Sequence, residues 1–322
     1  MPGGSQTVPT WSWLVLAAIV GASLLIDLVG HRGDRGIGRR AAVVWSVVWV
    51  SLGLSFAGFI ALQLGRDGAE DYLTAFLVEK SLSVDNLFVF MIVFKRLAIP
   101  EKQQHRVLLW GILSAFAIRA VFIFAGVAII DAWHGVVYVL GAFLVYTGIK
   151  TARSSGDAEP QDDGRILSFL RRHVPLSDRL HGHRFTVVER GRRLATPLLV
   201  ALLVIEVTDI VFAVDSIPAV FAVTENPFVV YSSNIFALLG LRSLYLVMAD
   251  LLRGLRYLHL GIAAILVFAG AKMLGSHFVH LPHWASLVAI TGALAVSIVA
   301  SIVVQRRTTA HAAGSSGQTA SR

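Results

Sequence analysis

The sequence predicts an all-α, polytopic membrane protein with about nine transmembrane helices and two inverted three-helix repeats. Of its 322 residues, 56% are hydrophobic and 15% are charged, whereas soluble domains carry roughly 25% charged residues. The mean hydropathy is +0.71, and apolar runs recur from residue 11 to residue 304 with no room for a soluble domain between them. In addition, a set of polar landmarks occurs twice in the same order.

Each apolar run is long enough for a spanning helix, which needs about 20 residues. Residues 1–11 contain no Lys or Arg, so we interpret the first run as a retained helix rather than a signal peptide. Residues 1–305 therefore form a single transmembrane domain. In chain order, the predicted spans lie near 12–30, 42–63, 73–94, 107–130, 133–150, 197–222, 229–250, 256–275 and 285–304.

The connections between these runs alternate in charge, and this alternation predicts the orientation. Basic residues are concentrated in every second connection, and acidic residues predominate in the others. By the positive-inside rule, the N-terminus lies outside and the C-terminus lies in the cytoplasm, in the plasma (inner) membrane. The formal charge of +8 follows from these connections, so we expect a lipid bilayer and no nucleic acid as partner.

Two polar segments lie outside the predicted spans. Residues 151–195 are rich in Arg and Gly and are predicted to form a cytoplasmic loop, a candidate docking segment for a cytoplasmic protein. The tail, residues 306–322, is rich in Ala, Gly, Ser and Thr and is predicted to be disordered.

The internal repeat covers about residues 73–150 and 197–275. Since each unit has three predicted spans, the second enters the membrane from the opposite side, as in secondary transporters whose substrate site lies between the repeats near the midplane. A duplicated scaffold without transport is the alternative. Three elements match between the two units. Two acids six residues apart occur in each, Glu79 and Asp85 in the first and Asp209 and Asp215 in the second. Arg119 then matches Arg242, and the seven-residue segment 144–150 matches 266–272.

Five carboxylates lie within the predicted spans, where one ionised Asp costs about 2.5–3.5 kcal/mol even on a lenient insertion scale. Structural ion pairs with three basic residues could neutralise some of them. The excess of two negative charges would then attract protons or a divalent cation. The acids are Glu79, Asp85, Glu206, Asp209 and Asp215, and the basic residues are Lys80, Arg119 and Arg242.

The spacing of the acids limits how they can act together. Residues six apart on a regular helix lie about 240° apart around its axis, so either the helix unwinds or each acid faces a different surface. Pro218, three residues after Asp215, favours a break in the sixth span.

The donor types favour a hard cation. Carboxylates together with the Asn86 amide and the hydroxyls of Ser81, Ser83 and Ser216 suit Mn²⁺, Mg²⁺ or Ca²⁺. The chain has no cysteine, which excludes thiolate ligands, disulfides and thiol redox chemistry. It also lacks an H-E-x-x-H motif and a Gly-rich phosphate loop, so we expect neither an enzyme nor an organic cofactor.

Two segments, 79–86 and 206–220, resemble the signature segments of the TerC family, and the likeness extends over about residues 12–305. The resemblance implies metal-ion efflux, with Mn²⁺ as the transported ion, and a link to tellurite resistance through the family name. It implies these ligands: Glu79, Asp85, Asn86, Glu206, Asp209 and Asp215.

We therefore expect a secondary transporter that exports Mn²⁺ or a similar ion in exchange for protons. Two alternatives stay open. One is an exporter of cationic amino acids, because the family that the chain resembles falls in the wider lysine-exporter superfamily. The other is a membrane scaffold in a metal or tellurite stress-resistance complex, which would recruit partners through residues 151–195.

Overall fold

The computed structural model describes residues 8–30, 39–153, 175, 177, 182, 184–189, 191–251, 257–275 and 282–319. Helices dominate this part of the chain, as predicted, and one β-hairpin lies between the fourth and fifth helices. The elements are α1 Thr10–Gly30, α2 Arg39–Arg96, α3 Glu101–Ala132, α4 Val136–Arg153, β1 Thr186–Glu189, β2 Arg192–Ala195, α5 Pro197–Phe221, α6 Pro227–Leu238, α7 Leu241–Leu251, α8 Leu258–Gly275 and α9 His283–Thr319.

Six segments in the described residues are long and apolar enough to cross a membrane. Two shorter apolar helices, Thr10–Ile26 and His259–Gly275, accompany them. A polytopic helical membrane protein is thus confirmed, whereas the total of nine crossings stays a prediction. The six segments are Arg40–Ser83, Glu101–Ala132, Val136–Arg153, Pro197–Phe221, Pro227–Val247 and His283–Ser301.

Helix α2 combines the second and third predicted spans, and the polar connection expected between them is helical. Its one non-helical residue is Gly65, with φ 74° and ψ −169°, a conformation that favours glycine. Gly53 precedes Gly65 and Tyr72 follows it, and the Tyr72 hydroxyl donates to the Gly53 carbonyl at 2.9 Å. A straight helix would separate these two residues by about 28 Å. The chain therefore reverses at Gly65, and the two halves of α2 pack side by side.

The seventh predicted span, 229–250, is two helices rather than one. α6 ends at Leu238, α7 begins at Leu241, and Gly240 between them has φ +80°. A Cβ atom at Gly240 would lie 2.6 Å from Cβ of Trp49, so the break is packed directly against the first half of α2.

The break expected near Pro218 is absent, and that prediction is wrong. α5 is continuous from Pro197 to Phe221. Pro218 lies in its last turn, where the missing N–H removes a single hydrogen bond, and its side chain is buried.

The core of the bundle lies around α6. Phe228 and Phe236 of α6 pack against Phe56 of α2, with ring centroids 6.3 and 4.6 Å apart. Ser232, Ser233 and Asn234 on the same helix are fully buried. α6 thus brings polar groups into the centre of the molecule.

Helices α4 and α8 contact each other through glycines. A Cβ atom at Gly148 would lie 2.7–3.0 Å from Val267 and from the Ala263 carbonyl, and one at Gly270 would lie 2.5–2.8 Å from Val145 and from the Gly141 carbonyl. These contacts show that the two helices run antiparallel. The predicted repeat pairs 144–150 with 266–272, and therefore Gly148 with Gly270 and Val145 with Val267. Exchange of the paired residues converts the contact of Gly148 with Val267 into the contact of Gly270 with Val145. The contacts therefore support the predicted repeat for these two helices.

The predicted loop 151–195 is not wholly irregular, because its end forms a hairpin in which β1 and β2 pair antiparallel. The Arg106 guanidinium lies 5.3 Å from the centroid of the Phe185 ring, which fixes the hairpin to the start of α3. Residues 154–174 of this loop lie outside the described part of the chain. Beyond the last span, the backbone of α9 continues to Thr319 and includes most of the tail 306–322 for which disorder was predicted.

Candidate ion site at Glu79, Arg119 and Asp209

Arg119 of α3 joins the two acidic segments in the centre of the bundle. Its Nη1 donates to Oε2 of Glu79 at 2.5 Å, and its Nη2 donates to Oδ1 of Asp209 at 3.4 Å. The same Nη1 donates to Oδ1 of Asn234 on α6 at 2.5 Å. The exposed fractions of Glu79, Arg119 and Asp209 are 0%, 2% and 5%, so this polar cluster is enclosed by protein.

Helical spacing explains how one segment contributes two groups to the cluster. Glu79 and Asn86 are seven residues apart on α2, which brings them to within about 20° of each other around the helix axis. The Asn86 amide donates to Oδ1 of Asp209 at 3.3 Å. Since Glu79 and Asp209 occupy matched positions of the predicted repeat, the cluster contains the leading acid of both acidic segments.

The charges in this cluster do not balance. Two buried carboxylates share one guanidinium, and burial of an unpaired charge carries an effective penalty of several kcal/mol. A cation or a proton at the cluster would neutralise the excess negative charge.

Among the described residues, several buried oxygen atoms on α2 and α5 have no hydrogen-bond partner. They include Oε1 of Glu79 and Oδ2 of Asp209, together with the hydroxyls of Ser83 and Ser216. Buried polar atoms are nearly always paired in native proteins, so each of these oxygens is available to a ligand. Carboxylate and hydroxyl oxygens are the donors that hard divalent cations prefer.

Glu206 and Asp215, two of the remaining predicted acids, form no ion pair with Arg119 in the described part of the chain. Glu206 accepts a hydrogen bond from the Ser114 hydroxyl of α3 and is partly exposed. Asp215 is partly exposed and interacts electrostatically with Lys150. Because α5 is continuous, Asp209 and Asp215 face different surfaces, the second of the two alternatives that their spacing allows. The Asp85 side chain lies outside the described residues.

The supporting residues have distinct roles. Ser81 donates to the Leu77 carbonyl one turn earlier on α2. Lys80 Nζ donates to the carbonyls of Ala237 at 3.0 Å and Leu239 at 3.5 Å. Arg242 is buried, and its Nε donates to Nδ1 of His105 at 3.2 Å. Arg242, the residue matched to Arg119 in the predicted repeat, thus contacts a histidine of α3, the helix that carries Arg119.

Within the described part of the chain, no three His, Asp or Glu side chains are grouped closely enough to hold a metal ion. The Asp85 side chain is not among the described residues, so the set of six predicted ligands stays a prediction. The sequence analysis missed Asn234 and Ser114. A lone Asn in an apolar run is a signal that could have identified Asn234, since polar side chains at bilayer depth are rare and costly.

The sequence of the chain matches those of known proteins. The model of the integral membrane protein TerC family matches residues 64–309. The chain belongs to this family. Relatives in Myxococcus xanthus, Photorhabdus laumondii and Escherichia coli K12 match it over at least 91% of its length.

The Myxococcus xanthus relative, the uncharacterized membrane protein STKORF319, is 47% identical over 295 residues, 91% of this chain and 92% of its own. The putative membrane-bound redox modulator Alx of Photorhabdus laumondii is 40% identical over 304 residues, 91% and 95% of the two chains. Its Escherichia coli K12 counterpart, of the same name, is 39% identical over 305 residues, 92% and 95% of the two chains. No solved structure matches this TerC-family chain.

Proposed function

We propose that this TerC-family protein is a secondary transporter that exports a hard divalent metal ion, with Mn²⁺ as the first candidate substrate, in exchange for protons. The observation that carries the proposal is the central cluster. The leading acids of the two acidic segments, Glu79 and Asp209, share Arg119, and each has one buried oxygen with no partner among the described residues.

Cation binding and proton binding at this cluster are alternative ways to neutralise the same excess of negative charge. Carboxylates must be deprotonated to ligate a metal. The apparent affinity for the ion should therefore fall as the pH falls, and ion binding should release protons. This competition is the basis of the proposed exchange.

The proposed membrane topology has nine crossings with the N-terminus outside. The reversal at Gly65 supports it, because the two halves of α2 then cross separately. The antiparallel contact of α4 with α8 supports the inverted relation of the two repeats, which in secondary transporters meet at the substrate site. The proposed location is the plasma membrane.

The name of the Alx relatives describes them as putative redox modulators. This chain contains no cysteine, so it cannot itself carry out thiol–disulfide exchange. Under our proposal, any effect on redox state would be indirect, through the cellular concentration of a metal ion.

Flux through the purified protein tests the proposal. In proteoliposomes with a pH gradient, we expect wild-type protein to move Mn²⁺ and to move protons in the opposite direction. Glu79→Gln and Asp209→Asn should each abolish the Mn²⁺ flux. Either change leaves one carboxylate to pair with Arg119, so the variants should still fold.

The matched control is Glu225→Gln, an acid-to-amide change at an exposed residue between α5 and α6, which should keep wild-type flux. Mn²⁺ flux in well-folded Glu79→Gln or Asp209→Asn at the wild-type rate would contradict the proposed site. Wild-type protein that moves lysine but not Mn²⁺ would favour a cationic amino acid exporter, and absence of any flux would favour a scaffold.

A further inference from the structure

A second polar feature of the bundle, separate from the Glu79–Arg119–Asp209 cluster, lies at the break between α6 and α7. The last carbonyls of a helix have no partner within the helix, and the C-terminal end carries partial negative charge. The end of α6 is buried, with Ala237, Leu238 and Leu239 at most 4% exposed. Carbonyl groups at this depth need donors from elsewhere in the protein.

The donor is an ammonium group. Lys80 Nζ lies 3.0 Å from the Ala237 carbonyl oxygen and 3.5 Å from that of Leu239. Lys80 reaches these atoms from α2, more than 150 residues away in the chain. A cation is thus already bound at the break, held there by a side chain.

Packing holds the backbone between α6 and α7 in its non-helical conformation. Gly240 has φ +80° and is packed against Trp49, so the residues around it are held in a non-helical path by the first half of α2. The second half of α2 supplies Lys80. The carbonyl groups therefore form a pre-organised cradle, defined here as the carbonyls of Ala237 and Leu239.

We propose that this cradle is a binding site for a primary ammonium ion, which Lys80 occupies in the wild-type protein as a tethered ligand. The ammonium group supplies several N–H donors and a positive charge, and the cradle supplies carbonyl acceptors at the negative end of a helix. The site is distinct from the carboxylate cluster and does not depend on which ion that cluster exports.

Chemical rescue tests the proposal. Lys80→Ala removes the equivalent of a propylammonium group, so the purified variant in detergent should have a lower Tm than wild type. Addition of n-propylammonium should raise the Tm of the variant saturably and recover most of the loss. Tetramethylammonium has the same charge but no N–H donor, and it should give no recovery.

Two controls separate a specific site from a general effect of salt. Wild-type protein should show no saturable response to n-propylammonium, because Lys80 fills the cradle. Lys95→Ala removes an exposed lysine from the same helix and should not respond either.

Several results would overturn the proposal. They are an unchanged Tm for Lys80→Ala, no recovery with n-propylammonium, or equal recovery with tetramethylammonium. If Lys80→Ala is not recovered in folded form, a second measurement uses the same variant, since it keeps the space that n-propylammonium can fill. It should be recovered in larger amounts when n-propylammonium is present during purification. Equal recovery with and without the amine would also contradict the site.

Discussion

Substitution of Arg119 by methionine should strongly destabilise the protein. The change removes the charge that Glu79 and Asp209 share and leaves two buried carboxylates without a counterion. Loss of one partner of a buried ion pair costs about 3–5 kcal/mol. Asn234 also loses the donor to its Oδ1, so we expect a value in the upper part of this range.

The matched control is Arg66→Met. Arg66 donates to Glu70 at 2.9 Å, but its side chain is 88% exposed, and an exposed pair of this kind contributes about 0–1 kcal/mol. Unfolding of both variants in detergent, followed by tryptophan fluorescence against denaturant, measures the two free energies on the same scale.

A compensating triple variant makes the experiment decisive. When Glu79→Gln and Asp209→Asn are added to Arg119→Met, no charge remains in the cluster, so the penalty for an uncompensated buried charge is removed. We therefore expect the triple variant to be more stable than Arg119→Met alone. An Arg119→Met variant no less stable than Arg66→Met, or a triple variant less stable than the single one, would refute the electrostatic explanation.

Three further changes should have clear outcomes. Gly240→Ala should lower the free energy of unfolding by about 2–5 kcal/mol, because it adds positive-φ strain to a steric clash with the first half of α2. The control Gly58→Ala, whose added Cβ meets no atom within 4 Å, should not lower it. Thermal unfolding compares the two variants. Asp215→Asn should abolish Mn²⁺ flux in proteoliposomes while the protein still inserts; wild-type flux would exclude this acid from the ion path. Because the chain has no cysteine, single cysteines can be labelled selectively. Asp67→Cys should react with an impermeant maleimide added outside intact cells, and Arg193→Cys should not. The reverse pattern would contradict the proposed orientation.

Much of the fold could be predicted because insertion into lipid constrains a sequence more strongly than folding in water does. Apolar runs of about 20 residues have few alternatives to a spanning helix, and the helices lie close to the predicted ranges. The same cost of burying charge indicated that Arg119 would find a carboxylate partner, and the structure places Glu79 and Asp209 beside it.

Local sequence did not predict whether the helices break at Pro218 and Gly240. Pro218 was expected to interrupt its helix and does not, because its position in the last turn makes the loss small. Gly240 does interrupt a helix, although a single glycine in an apolar run is usually tolerated. What decides the difference is long-range packing: Trp49 and Lys80 of α2 both act on the break from distant parts of the chain.

The three acids of α5 show a similar limit. Spacing alone left open whether Asp209 and Asp215 act at one point, and the continuous α5 separates them. The pairing of Glu206 with Ser114 depends on how α3 and α5 pack, and a sequence pattern does not contain that information.

The reciprocal contact between α4 and α8 has the form of a homodimer interface, in which the same surface patch is used twice. Gly148 meets the backbone of α8 as Gly270 meets the backbone of α4. A half-length unit that inserted into the membrane in both orientations would form this contact with a second copy of itself. Fusion of two such copies into one chain would fix one orientation for each half.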